Sequence, residues 1–202
     1  MSLAVLKSRA LAGMEAPAVN VEVHLAKGLP SFTIVGLPDT EVRESKDRVR
    51  AALQNAGFEL PSRRITVNLA PADLPKESGR FDLPIAIGIL AANGQLPTPP
   101  LAGLEFAGEL ALSGELRPIR GALAMTFGAQ RDGRAFVLPE SVAGEAALAR
   151  GATVLPARTL LDVFALVGCR TGDEFATNAA VPHTLSEAEL AWLDLSRDEC
   201  PW

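Results

Sequence analysis

The stretch "FDLPIAIGILAA", Phe81 to Ala92, places the tightest constraint on what this chain can fold into. Apart from Asp82 it is apolar on every side at helix length. A helix with no polar face cannot lie on a surface, so it has to be enclosed by other elements. The chain can do this: it has 202 residues, 48% of them apolar, enough for one sizeable domain or two small ones. A polar loop, "PKESGR", runs straight into the apolar run, and such junctions hold a nucleophile, an anion or only a helix cap. Asp82 is expected to be the N-cap, its carboxylate accepting orphan N–H groups near Pro84 and Ile85. Pro84 then falls in the first turn, where a missing N–H costs little.

The segments around this helix alternate in period. "VNVEVHLAKGLPSFTIVGLPD" reads as a β-hairpin, with Val19, Val21, Val23 and Leu25 on one face and Asn20, Glu22 and His24 on the other. "PDTEVRESKDRVRAALQNAGF" reads as a helix with Asp39 as N-cap and Gly57 at C′; Val42, Val49, Leu53 and Ala56 form its apolar stripe. Its outer face carries the spaced charges Arg43, Glu44, Asp47 and Arg48, a pattern of self-pairing. The alternative for that face is contact with a nucleic-acid backbone or a partner through Arg43, Lys46 and Arg50, joined by Arg63 and Arg64 beyond the helix. "SRRITVNLAP" is a strand. "LEFAGELALSGELRPIRG" holds two short strands around Ser113-Gly114. Then come a helix in "GALAMTFGAQRDG", a strand in "AFVLPE", a helix in "SVAGEAALARG", a strand in "ATVLPA" and a last helix begun by Thr159 or Arg158. The order predicts an α/β domain with a mixed sheet over residues 1–170. Residues 171–202 read as an acidic linker or tail with one short helix started by Ser186.

Net charge is −5, and the excess is local: residues 171–202 hold seven acidic residues and one basic, leaving 18 basic and 17 acidic before them. A bulk basic footprint for duplex DNA is therefore absent, although a local patch is compatible with these numbers. His24, His183, Cys169 and Cys200 have no metal-ligand spacing, and the cysteine usage fits a reducing cytoplasm. No window is long and apolar enough to span a membrane. No P-loop string and no Gly-x-Ser-x-Gly occur. What remains open is a Ser-Lys dyad, which needs only a serine at a helix start and a lysine deprotonated by burial. Ser78 with Lys76 is the available pair. A bare RNA-binding module is a further alternative, without stacking aromatics to support it.

The run "ITVNLAPADLPKESGRFDLPIAIGILAANG", followed by "FAGELALSGELRPIRGALAMTFGAQRDG" and "FVLPE", resembles the proteolytic domain of Lon. Matching the motifs position by position puts the dyad serine at Phe81 and the dyad lysine at Leu123. Both are apolar here, so the resemblance implies a kept fold and a lost protease. A longer match covers most of residues 1–170: "GLPSFTIVGLPDTEVRESKDRVRAALQNAGFELPSRRITVNLAPADLPKES", "FDLPIAIGILAANGQL" and "GELALSGELRPIRGAL" are similar to the N-terminal domain of the Mg-chelatase-related AAA+ proteins, the YifB/ComM family. That resemblance implies a Lon-like domain of the ribosomal S5 domain 2 type, without catalysis of its own. An AAA+ ATPase domain would follow it in the same polypeptide and bind ATP and Mg2+. It also implies a homo-hexamer, DNA as a possible partner, and branch migration during natural transformation.

Overall fold

Seven strands form one sheet in the order β3-β4-β2-β1-β5-β8-β9. The computed structural model describes residues 3–13 and 15–169. The expected acidic tail, its helix at Ser186, His183 and Cys200 lie outside the described residues. The strands of the sheet are β1 (Leu3–Arg9), β2 (Ala18–Ala26), β3 (Ser31–Val35), β4 (Arg64–Ala70), β5 (Leu104–Phe106), β8 (Ala135–Pro139) and β9 (Val154–Ala157). A separate two-stranded ribbon, β6 (Glu109–Leu110) with β7 (Leu116–Arg117), closes around Ser113-Gly114. The helices are α1 (Thr40–Asn55), α2 (Asp82–Ala92), α3 (Ala122–Arg131), the single turn α4 (Ala143–Ala146) and α5 (Leu160–Cys169). The fold is α/β with a mixed sheet, as the order of the sequence segments predicts.

The apolar run Asp82–Ala92 is enclosed as its composition demands: every residue of α2 is buried. It lies on β1 and β2, with α1 beside it. The alternation in β2 puts Val19, Val21, Val23 and Leu25 under α2, and Ile65, Val67 and Leu69 of β4 continue the same floor. Beyond β1 the sheet is covered on both faces. Val137 of β8 joins the core under α2, whereas Phe136 and Leu138 join a second core beneath α3. Strands β3, β4, β2 and the start of β1 have helices on one face only. Their other face, with Thr33, Val35, Thr66, Asn68, Glu22, His24, Leu3 and Val5, is partly or fully open to solvent.

Four expectations change. The segments at β2 and β3 do not form a hairpin. Strand β4 lies between them, antiparallel to β2 and parallel to β3. The connection Lys27–Pro30 can make this crossing because four residues reach beyond two strand spacings, about 10 Å. A short linker therefore did not require direct pairing. Strand β1 was not foreseen: its consecutive apolar residues Leu3, Ala4, Val5 and Leu6 blur the alternation of a strand central to the sheet. The segment "SVAGEAALARG" forms a 3-10 turn over Glu140–Val142 and then only the one turn of α4. A further strand, β5, joins the sheet from "LEF".

Local signals at α1 hold. Asp39 accepts a hydrogen bond from the Val42 N–H at 2.7 Å, and Gly57 follows the helix with φ 80°, a left-handed C′ residue. At α5 a reciprocal pair forms the start: the Asp162 N–H donates to Thr159 Oγ1 at 3.2 Å, and Thr159 N–H donates back to Asp162 Oδ2 at 3.0 Å.

Candidate functional site

The loop Lys76–Phe81 and the start of α2 are held from three sides. The Asp39 N–H donates to the Lys76 carbonyl at 3.0 Å, and the Lys76 N–H donates to the Leu37 carbonyl at 3.3 Å. Gly79 is pressed against Glu109 of β6, whose Cγ would stand 2.6 Å from a Cβ there. A 3-10 turn over Gly79–Phe81 then feeds directly into α2.

This run-in removes the need for a cap, and the N-cap expectation for Asp82 is corrected. The Asp82 N–H donates to the Gly79 carbonyl, the Leu83 N–H donates to the Gly108 carbonyl at 3.0 Å, and Pro84 has no N–H. The first-turn N–H groups of Asp82 and Leu83 are therefore already satisfied, and Pro84 offers none. Its carboxylate turns instead toward α1 and β6. It accepts from Ser45 Oγ, from Arg48 Nε at 2.6 Å and Nη2 at 3.0 Å, and from the Leu110 N–H at 3.1 Å. Burial pushes the Asp82 carboxyl up, while Arg48, Ser45 and the Leu110 N–H pull it back. The contact with Asp82 holds Arg48 above its ordinary value. One buried carboxylate thus ties α1, α2 and the β6–β7 ribbon together. Its signal in the sequence was Ser45, a polar residue on the apolar stripe of α1 between Val42 and Val49.

Phe81 has no exposed surface and belongs to the main core. Leu123 is half-buried on α3, and its N–H donates to Glu145 Oε1 at 3.0 Å. The other pair considered, Ser78 and Lys76, is turned to separate partners. Ser78 Oγ accepts from Arg80 Nε at 2.8 Å, and Lys76 Nζ donates to the Pro71 carbonyl. Burial lowers Lys76 and Arg80 from their ordinary values. Arg80 also reaches Met125 Sδ on α3 at 3.8 Å, so its guanidinium fills the space between the loop and that helix. Among the described residues, no cluster of three or more His, Cys, Asp or Glu could hold a metal ion.

The five basic residues proposed for a backbone or partner contact are all exposed. The structure does not bring them together. Arg43, Lys46 and Arg50 share one stripe of α1. Arg64 alternates with Ile65 and so points to the open face of the sheet, across the sheet from α1. Arg63 precedes it, its N–H donating to the Pro61 carbonyl at 2.8 Å. A second charged cluster joins residues far apart in the chain and has no local spacing signal. Arg9 at the end of β1 donates to Glu105 Oε2 at 2.6 Å and Oε1 at 2.8 Å and also to Asp132, while Arg134 reaches Glu105 Oε1 at 3.0 Å. It fastens the end of α3 to the sheet.

Residues 21–142 match the family model for subunit ChlI of Mg-chelatase. Within that class the chain belongs to the Mg-chelatase-related family of the YifB and ComM proteins. It is 55% identical over 163 residues to the competence protein ComM of Haemophilus influenzae, covering 81% of this chain and 32% of that protein. It is 45% identical over 192 residues to the uncharacterized protein YifB of Escherichia coli, covering 93% of this chain and 38% of that one. YifB of Salmonella typhimurium is 51% identical over 148 residues, with 73% and 29% covered. The chain spans about a third of the length of the curated relatives it matches. Among the described residues no helix is long and apolar enough to cross a membrane.

Proposed function

We propose that this chain is a non-catalytic, Lon-like domain of a ComM-type AAA+ ATPase that remodels branched DNA in natural transformation and recombination. The observation that carries the reading is the 55% identity to a competence protein about three times as long as the matched region. In this reading ATP and Mg2+ are bound by an AAA+ domain of the same polypeptide, which assembles as a homo-hexamer. The present domain contributes scaffold and DNA contact. Two features support the absence of peptidase chemistry: apolar Phe81 and Leu123 stand at the positions that the Lon resemblance assigns to the dyad, and Ser78 and Lys76 are bonded elsewhere. A general base must lie within hydrogen-bond reach of the hydroxyl it activates.

The test has two arms. The 202-residue chain should show no ATPase activity and no cleavage of casein, and a polypeptide joining it to its AAA+ domain should drive ATP-dependent migration of a synthetic junction. Casein cleavage abolished by Ser78→Ala would overturn the non-catalytic reading. A joined polypeptide that hydrolyses ATP yet leaves every junction unmoved would overturn the DNA-remodelling one.

A further inference from the structure

One end of the sheet carries cations without acids. Lys27 follows β2, Arg63 precedes β4, and Arg64 begins β4 with Ala26 and Ser31 as its neighbours on either side. Arg64 Nη2 lies against the turn at Gly28, where a Cβ would stand 3.7 Å from it. All three cations are exposed, and among the described residues none of their side chains is in an ion pair. Residues 23–38 and 60–72, which surround them in the chain, contain no acidic residue. The stripe on α1 differs, since Glu41, Glu44 and Asp47 interleave there with Arg43, Lys46 and Arg50. Leu29, two residues beyond Lys27 and 84% exposed, gives the cluster an apolar border.

The chain's most acidic segment leaves the described residues at this same end. Strand β9 runs parallel to β1 through β8 and β5. Strand β1 begins with Leu3 beside His24, which in turn faces Thr66 of β4. These four strands therefore start at the end where Arg64 lies, and α5 returns to it after β9. Phe164 of α5 packs on Phe58, with ring centroids 4.8 Å apart, and Phe58 stands six residues before Arg64. From Cys169, four or five extended residues span about 15 Å and reach Asp173 and Glu174. Glu187, Glu189, Asp194, Asp198 and Glu199 follow, with Leu190, Trp192, Leu193 and Leu195 among them. We propose that residues 173–199 dock on Lys27, Arg63 and Arg64 of the same chain. Seven acids against one base give the segment the charge that the cluster lacks. A single exposed pair is worth at most about 1 kcal/mol, so the contact takes several at once. The short tether makes them intramolecular, which spares the cost of meeting a separate partner. While the segment lies there, the cluster is closed to other polyanions. The contact does not rest on the proposed function.

Carbodiimide cross-linking of the 202-residue chain tests this, because it joins an amine to a carboxylate in contact with it, and peptide mapping names the pair. At about 0.01 M salt Lys27 should link to acids within residues 173–199. At about 1 M salt, where the screening length falls from about 30 Å to about 3 Å, the link should be lost. Its yield should not depend on protein concentration. Arg63→Glu with Arg64→Glu should remove the link although Lys27 remains. Adding Lys27→Glu and changing the seven acids of the segment to Lys should bring a link back at position 27, with the charges exchanged. The cluster positions are exposed, and an unchanged melting temperature shows that the variants fold. Should they not fold, Arg63→Gln with Arg64→Gln carries the same test, with a lower yield expected. A Lys27 that links to no acid of residues 173–199 at low salt overturns the proposal. So does a yield that rises with protein concentration, a link that survives either the arginine changes or about 1 M salt, or an exchanged chain that regains none. An unlinked Lys27, together with oligonucleotide binding that is lost on Arg63→Glu with Arg64→Glu, would assign the cluster to nucleic acid instead. Neither ATP hydrolysis nor junction migration is read here, so failure leaves the proposed function standing.

Discussion

Asp82 is the residue whose role differs most from its appearance. Read as a cap, its replacement by alanine costs about 1 kcal/mol. Read as the buried partner of Arg48, the cost is about 3–5 kcal/mol, because removal strands a largely buried cation and the Leu110 N–H. We expect the larger loss for Asp82→Ala, measured as the shift in urea midpoint at constant slope. Replacing Arg48 and Asp82 together by apolar residues should recover part of it, since the cation is removed with its partner and only the Leu110 N–H and the Ser45 hydroxyl stay without their acceptor. The Arg9 cluster gives a pH signature. The Arg9 guanidinium holds the Asp132 carboxyl below the ordinary carboxylate range. The folded value is therefore below the unfolded one, and the stability it contributes is present above the unfolded value, about pH 4. It is lost as pH falls through the folded value. Asp132→Asn should therefore flatten the acid limb of stability against pH while changing little of its shape above pH 6, as followed by urea titration at several pH values. No flattening would show that Asp132 is not a source of acid sensitivity.

The packing of α2 against the sheet depends on a glycine for want of space. A Cβ on Gly88 would stand 2.5 Å from Val23 Cγ2 and 3.1 Å from Leu6 Cδ1. Alanine there gains about 1 kcal/mol of helix propensity but overpacks the contact with β1 and β2 by about 1–3 kcal/mol. A net lower melting temperature is expected, and a higher one would mean that the helix can lift without penalty. Gly36 is stricter: its φ is 98° and a Cβ would overlap the Leu69 carbonyl, so Gly36→Ala should lose more than Gly88→Ala. These contacts also explain what could be read from the sequence. Alternation at β2 and β4, the Asp39 cap, the Gly57 stop and the enclosed helix at Phe81–Ala92 are local patterns, and each was legible. The insertion of β4 between β2 and β3 was not, because pairing order depends on which floor α1 and α2 can jointly cover. Strand β1 was hidden by its apolar outer face at Leu3 and Val5. The link from Asp82 to Arg48 spans 34 residues and left only Ser45 as its trace.

Across the molecule, the geometry divides what composition had grouped. Arg43, Lys46 and Arg50 lie at spacings that share one exposed stripe of α1, whereas Arg64 points from β4 to the open sheet face. One flat nucleic-acid backbone cannot lie along both faces of the same sheet. The α1 stripe also shares its helix surface with Glu41, Glu44 and Asp47, and Arg48 is turned inward to Asp82. Any DNA contact there is therefore a small number of phosphate contacts, weak and strongly dependent on salt. If α1 is the contacting face, changing Arg43, Lys46 and Arg50 together to Glu should abolish binding of the chain to single-stranded or branched DNA. Changing Arg64 alone should leave it within about twofold, a difference well under 1 kcal/mol. Neutral Gln in the same three positions should reduce the salt slope for single strands by about two, since each lost phosphate contact removes about 0.7. Fluorescence anisotropy at several salt concentrations reads both quantities. The opposite result, binding that survives the α1 changes and fails with Arg64→Glu, would move the contact to the open face of β3, β4, β2 and β1. There Asn20, Asn68, Thr33 and Thr66, rather than a row of cations, would meet the strand.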